Sequence, residues 1–168
     1  SPADKKQEVY DRICPHAGRY SRLYFKSIVD MIQKKIDADV LRIETVIPYG
    51  SNYNQVVNQG QDEVNRGYCP KIKPVDVNLD QYDTIVLGTP VWWYTFAPAM
   101  HTFLKIQNWK GKTVYPFATN GGWIGHTFED FQSTCQGADV KKGMNIRFDE
   151  TTLRTSKKDI EKWIDSIH

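Results

Sequence analysis

The chain has 168 residues and a mass of 19.4 kDa, which suits one domain of ordinary size. Its net charge of +2, with no long basic run, gives no reason to expect nucleic acid or a membrane surface as a partner. The three cysteines (Cys14, Cys69 and Cys135) lie far apart and show no zinc-type spacing with the histidines, so we expect a reducing, cytoplasmic compartment and no metal. No apolar run is long enough to span a bilayer, and the polar N-terminus does not resemble a signal peptide.

Helix and strand patterns alternate through the first half of the chain. Apolar residues at helical spacing predict an amphipathic helix over Phe25–Ile36, and residues 38–44 (ADVLRIE) predict a short strand. The stretch from Ile47 to Pro74 is rich in Gly, Asn and Pro. It has only a weak helical pattern at residues 53–66, so we expect a long connection there.

The second half repeats the alternation more clearly. The elements that we predict are a buried strand at residues 84–90, a helix from Pro98, a strand from Thr113 that ends in a turn at Gly122, a helix capped near His126 or Thr127, a strand at residues 143–148, and a last helix with Ser156 as its N-cap. This order predicts an α/β fold with a doubly wound, parallel, five-stranded sheet in three α/β/α layers. We treat residues 1–168 as one domain with an atypical N-terminal region.

Two turns follow neighbouring predicted strands. They are TPVWWYTFAP, residues 89–98, and TNGGWIGHT, residues 119–127. Ligands of parallel α/β sheets bind beyond the carboxyl ends of the strands, so these turns should meet in a site. Tryptophan and tyrosine faces, glycine-rich backbone and small polar side chains suit a large planar ligand. The alternative is that the aromatic run only packs the core or its rim. In either case one of Trp92 and Trp93 should point inward.

The same two stretches carry a family resemblance. YDTIVLGTPVWWYTFAPAMHTFL and GKTVYPFATNGGWIGHTFEDF resemble the FMN-binding, flavodoxin-like family, whose small bacterial branch has G-x-P-x-W-W and F-x-T-[SN]-G-G at these strand ends. The resemblance covers residues 26–168 and implies non-covalently bound FMN. It places the ring on Pro90, Val91, Trp92, Trp93 and Tyr94, with the pyrimidine edge hydrogen-bonded by Thr119, Asn120, Gly121 and Gly122. Trp123 is larger than the residue that the family usually has there, and it would form a stacking wall or narrow the entrance.

The N-terminal region departs from the family pattern. The resemblance implies a phosphate loop of the type S-x-T-G-x-T after the first strand, and the best candidate here is PHAGRYS, with Gly18, Arg19, Tyr20 and Ser21 as the phosphate-binding residues. Residues 8–14 (EVYDRIC) would then be the first strand, although their charges suit the centre of a sheet poorly. A rival placement makes residues 20–25 (YSRLYF) a strand, and the PHAGRYS stretch can also be an ordinary surface turn.

The resemblance implies a redox flavoprotein without a catalytic acid, base or nucleophile in the protein. It would be a flavodoxin-like electron carrier, monomeric or dimeric, or an FMN-dependent NAD(P)H:quinone-type oxidoreductase. Its partner would be a redox protein or a small acceptor such as a quinone. The alternative is a cofactor-free flavodoxin-like binding or regulatory module that has lost the phosphate loop.

Overall fold

The computed structural model describes residues 19–50, 52–149 and 152–168. They form an α/β fold in which a mostly parallel sheet is packed between helices. The elements in chain order are α1 (Arg19–Ile36), α2 (Tyr53–Asn65), a 3₁₀ turn (Leu79–Gln81), β1 (Thr84–Trp92), β2 (Thr95–Phe96), α3 (Pro98–Ile106), β3 (Thr113–Asn120), α4 (Thr127–Thr134), β4 (Asp139–Val140), β5 (Met144–Arg147) and α5 (Lys157–Asp165).

The sheet is built around β1 and β3. The two strands run parallel, with seven paired residues from Thr84 opposite Thr113 to Pro90 opposite Thr119. On its other side β3 pairs in parallel with β4 and then with β5, while β2 forms a short antiparallel hairpin with β1. Because β1, β3 and β5 are parallel, their carboxyl ends lie at the same edge of the sheet.

Two apolar clusters cover the two faces of the sheet, which gives the expected three layers. On one face Ile28 of α1 and Ile160 and Ile164 of α5 are buried together with Phe117 of β3. On the other face the cluster combines residues of α3 and α4 with β1 and β3, including Met100, Phe103, Leu104, Phe131, Leu87 and Val114. The α/β, three-layer prediction is therefore confirmed.

The helix boundaries follow from local chemistry. The Ser156 hydroxyl accepts a hydrogen bond from the Asp159 amide at 3.1 Å, which caps α5 as the sequence predicts. Pro98 is the first residue of α3, where its missing N–H costs no hydrogen bond. The Asn52 side chain caps α2 in the same way, accepting from the Gln55 amide at 3.1 Å.

Three expectations for the first half need correction. Residues 38–44 form no strand, and only Thr45 makes an isolated bridge, with Ile72. A strand needs a partner, and no described strand lies beside this segment. The rival strand at residues 20–25 is wrong, because α1 includes them. The connection at residues 47–74 contains a regular helix, α2, at the place where the sequence has only a weak helical pattern (residues 53–66), since Val56 is buried and the N-terminus is capped. The predicted first strand, residues 8–14, lies outside the described residues.

Gly88, in the middle of β1, has no room for a side chain. A Cβ added there would lie 2.1 Å from Cζ of Phe117, and the Phe117 ring is itself held between Phe25 and Trp163 at centroid distances of 5.5 and 5.8 Å. We expect Gly88→Ala to lower the free energy of unfolding by about 1–3 kcal/mol, the usual cost of overpacking a core. Urea unfolding measures it. Gly50→Ala is the control, since a Cβ there meets nothing within 4 Å. Equal effects of the two substitutions would contradict this packing.

Candidate functional site

The turn after β1 is a two-residue hairpin with unusual backbone geometry. Val91 pairs with Phe96 and Trp92 with Thr95, so Trp93 and Tyr94 form the loop. Their φ angles are 46° and 72°, in the left-handed region. A two-residue hairpin turn of type I′ requires this region at both positions and normally places Asn-Gly or similar residues there. For L-residues with bulky side chains the geometry costs about 1–2 kcal/mol each. Strain of this kind, held at a strand end with aromatic side chains, is typical of a functional site.

The two tryptophans anchor the hairpin on α2. Trp92 is the inward-pointing one, with 2% of its surface exposed, and its ring lies 5.0 Å from the Tyr49 ring. A Cβ on Gly60 of α2 would lie 3.0 Å from the Trp92 ring, so the helix and the ring are in close contact. Trp93 is half-buried, and its Nε1–H donates to the carbonyl of Val57 at 2.9 Å. These contacts hold the strained loop in place.

A buried carboxylate stabilises α2 beneath the hairpin. Glu63 is only 4% exposed, and its oxygens accept from the Tyr49 hydroxyl at 2.7 Å and from Nε2 of Gln59 at 3.0 Å. Burial, and then the hydrogen bond to Glu63, raise the pKa of Tyr49 well above its usual range. The phenol therefore remains a hydrogen-bond donor to the carboxylate across the working pH range. This pair fixes the residue that packs on Trp92.

The turn after β3 is held from inside by Asn120. Its Oδ1 accepts from the Gly122 amide at 3.0 Å, and its Nδ2 donates to Oδ1 of Asn145 at 2.5 Å and to the carbonyl of Ile146 at 3.4 Å. Asn120 is 6% exposed and Thr119 is 2% exposed, so both belong to the framework of the turn. The glycines that follow are exposed and present their backbone at the surface.

The two turns are in direct contact. The His126 amide donates to the Tyr94 carbonyl at 2.8 Å. Gly125 has a φ of +59°, and a Cβ there would lie 2.3 Å from the same carbonyl oxygen, so only glycine fits. The rings of Tyr94 and Trp123 meet edge-to-face at 5.4 Å, with 48% and 69% of these residues exposed. The result is an aromatic corner that is open to solvent, which we call the ring site.

Two charged side chains beside the ring site, Arg147 and Asp130, were not identified as site residues from the sequence. The guanidinium of Arg147 lies 3.5 Å from the position of a Cβ on Gly122, which puts a positive charge next to the second turn. His126 Nδ1 lies 2.5 Å from Oδ2 of Asp130, and the Thr95 hydroxyl donates to the same oxygen. Arg147 ends β5, the neighbour of β3. The rule that ligands bind at strand ends could therefore have pointed to it.

The residues predicted to bind the ring divide into buried residues, which form the framework of the two turns, and more exposed residues, which lie at the surface. Pro90, Trp92, Thr119 and Asn120 are buried, whereas Val91 and Trp93 are half-buried, and Tyr94, Gly121, Gly122 and Trp123 are exposed. The predicted phosphate residue Gly18 lies outside the described residues. Arg19, Tyr20 and Ser21 form the first turn of α1, and their side chains lie outside the described part as well. The described residues contain no group of His, Cys, Asp or Glu that could hold a metal.

Comparisons with known proteins agree with this architecture. Structures that resemble the chain include a protein described as a flavoprotein from Bacteroides eggerthii, at 30% identity and a TM-score of 0.69, over 85% of this chain and 89% of that one. A flavoprotein from Lactobacillus acidophilus, solved in complex with FMN, has 19% identity and a TM-score of 0.65, over 83% of this chain and 89% of that one. The second similarity shows the shared fold.

The remaining comparisons concern the membrane, curated proteins and families. None of the described helices has the length and apolar character that crossing a membrane requires. The comparison with curated proteins found no match. The family model for flavodoxin matches residues 24–167, which span both turns and all the strands described above. The chain belongs to the flavodoxin family.

Proposed function

We propose that this protein is an FMN-binding redox flavoprotein whose ring site holds the isoalloxazine ring. The observation that carries the proposal is the strained aromatic hairpin, Trp93-Tyr94, joined to a glycine turn at the carboxyl edge of a parallel sheet. A hairpin that only closed two strands would be more stable with Asn-Gly at these positions. Trp93 anchors the loop on α2, and keeping the exposed Tyr94 at a left-handed φ is explained if its face contacts a ligand.

The residues of the ring site fit a planar heteroaromatic group. Tyr94 and Trp123 expose large aromatic surfaces, and such faces suit stacking against a ring. At Gly121 a Cβ would meet nothing nearer than 3.9 Å, so the second turn leaves open space for a ring edge. Family membership supports the proposal, as does the L. acidophilus flavoprotein of the same fold, which was solved with FMN.

In this proposal FMN supplies the electron chemistry, and the protein binds and orients the ring and sets the electrostatic environment around it. The aromatic corner would hold the ring and exclude water from one side. Backbone amides of the glycine turn other than that of Gly122, which donates to Asn120, would donate to polar atoms of the ring edge. The Arg147 cation beside Gly122 would favour negative charge at that edge. The phosphate would bind at Gly18, Arg19, Tyr20 and Ser21, as predicted from the resemblance.

The biological role that we propose is electron transfer, either as a carrier for a redox protein or as an NAD(P)H-dependent reductase of a small acceptor such as a quinone. Carriers that dock on basic partners are usually acidic, whereas this chain has a net charge of +2, which favours the small acceptor. Cys69 and Cys135 are free thiols, which supports our placement of the protein in the reducing cytoplasm.

Comparing FMN with riboflavin tests the cofactor and the phosphate site together. We expect the apo-protein to bind FMN at least about tenfold more tightly than riboflavin, because hydrogen bonds to a charged group contribute about 1.5–3 kcal/mol. Quenching of flavin fluorescence during titration measures both dissociation constants. Equal binding of the two would show that the phosphate site is missing. Binding of neither would favour the cofactor-free module over the flavoprotein.

Replacing Tyr94 by glycine should separate the effect of backbone strain on protein stability from the effect of the aromatic ring on FMN affinity. We expect Tyr94→Gly to weaken FMN binding by about 0.5–1.5 kcal/mol through loss of an aromatic contact. The same substitution relieves a left-handed φ that costs about 1–2 kcal/mol, so the free energy of unfolding of the apo-protein should stay constant or rise. Fluorescence titration and urea unfolding measure the two effects.

Tyr68→Gly is the matched control. Tyr68 is 44% exposed, nearly as much as Tyr94, but it lies outside both turns and has no left-handed φ. It should lower the free energy of unfolding and leave FMN binding unchanged. If Tyr94→Gly left FMN binding unchanged too, the aromatic corner would be packing and the proposed ring site would be wrong.

A further inference from the structure

A thiol and an imidazole meet where the chain leaves α2 and passes over α3. Sγ of Cys69 lies 3.5 Å from Nδ1 of His101, a distance at which a thiol donates a hydrogen bond to a ring nitrogen. The same sulfur lies farther from the carbonyl of Gly67, at 3.8 Å. We call Cys69 and His101 the thiol–imidazole pair. A nucleophile beside a base is the arrangement that activates cysteines in proteins.

The residues on either side of Cys69 are fixed to the two helices. The Tyr68 amide donates to the carbonyl of Glu63 in α2 at 2.8 Å. The carbonyl of Pro70 accepts from the Thr102 hydroxyl of α3 at 2.6 Å. The backbone that carries the thiol is therefore held against α3, and the contact between the two side chains does not depend on a loose loop.

The surroundings of His101 keep its ring uncharged near neutral pH. The ring is half-buried and packs on the Phe96 ring at a centroid distance of 5.6 Å. Burial, and then the positive charge of Lys105 on the same helix, lower the pKa of His101, and the Asp130 carboxylate of α4 opposes them more weakly. A neutral imidazole that carries its proton on Nε2 leaves Nδ1 free to accept the proton of the thiol.

The two described cysteines differ in how well a reagent can reach them. Cys69 is half-buried, and a Cβ placed on the neighbouring Gly67 would meet nothing within 4 Å, so there is open space beside the thiol. Cys135 is 1% exposed, and burial raises its pKa to about 12, so it should be unreactive. Cys14 lies outside the described residues.

We propose that Cys69 is a modification site at which His101 activates the thiol for exchange with a small disulfide. The thiol proton passes to Nδ1 of His101, and Sγ attacks one sulfur of the small disulfide. An S–S bond to the protein forms while the bond within the small disulfide breaks, and the departing thiolate takes the proton from His101. Cys69 is thereby oxidised to a mixed disulfide, and the other half of the reagent is reduced to a thiol. The pair does not depend on the proposed flavin site.

The pH dependence of the exchange tests the proposal. The full chain is treated with hydroxyethyl disulfide, quenched in acid and digested with trypsin. Mass spectrometry then follows fragment 67–71, in which Cys69 is the one cysteine. If His101 takes the proton, the rate should stay nearly level from about pH 8.5, the usual thiol pKa, down to the pKa of His101, which is below 6.5. It should fall at lower pH, because an imidazolium cannot accept the proton.

His101→Asn is the matched variant. The asparagine Oδ1 can still accept a hydrogen bond at about the position of Nδ1, but it cannot take a proton. Only the thiolate then reacts, so the rate should fall about tenfold for each pH unit below the thiol pKa. At about pH 6.5 the native protein should react at least about tenfold faster than the variant. The two rates should converge near pH 9.5, where both thiols are ionised, which separates proton transfer from a change in access.

The urea-unfolded native chain gives the same comparison if His101→Asn fails to fold. In it Cys69 has lost His101, so its rate should show the steep dependence on pH. Two results would overturn the proposal. The first is a folded native protein whose rate rises with pH in parallel with that of the unfolded chain, because His101 would then take no proton. The second is no reaction of fragment 67–71 in the folded protein even near pH 9.5, because the thiol would then be inaccessible.

Discussion

The parallel pairing of β1 with β3 is the constraint on which the rest of the molecule depends. Seven residues pair in register, from Thr84 with Thr113 to Pro90 with Thr119, so the last paired residues lie side by side. The two turns that follow must therefore meet, and the hydrogen bond from the His126 amide to the Tyr94 carbonyl shows that they do. A shift of one residue would reverse the face of every side chain on the strand and separate the turns.

Support from α2 makes the strained hairpin possible. Two left-handed aromatics cost a few kcal/mol, on the order of the net contribution of several hydrogen bonds. That cost is offset by three features: the burial of Trp92, the hydrogen bond from Trp93 to Val57 and the buried Tyr49–Glu63 pair. The strain at the ring site and the polar cluster in α2 are thus parts of one arrangement. This arrangement keeps Tyr94 exposed at the surface, where its ring contacts Trp123.

The secondary-structure elements that depend on a few adjacent residues could be predicted from the sequence. The apolar run of β1, Pro98 at the start of α3 and the Ser156 cap of α5 each follow from a few adjacent residues. Residues 38–44 have a strand pattern but form no strand, because a strand depends on a neighbour that the pattern does not contain. The left-handed φ angles of Trp93 and Tyr94 could not be predicted either, since no Asn or Gly marks this turn and the contacts that hold it are with Val57 and His126, elsewhere in the chain.

The most direct test of the central claim uses the ring without its phosphate. Lumiflavin, which has only the isoalloxazine ring, is added to the ¹⁵N-labelled protein, and backbone amide shifts are followed by NMR. The two joined turns are predicted to form the ring site, so shifts should concentrate at residues 91–96 and 120–126, with little change along α5. Shifts confined to other parts of the chain, or spread over the surface without those two turns, would contradict the account.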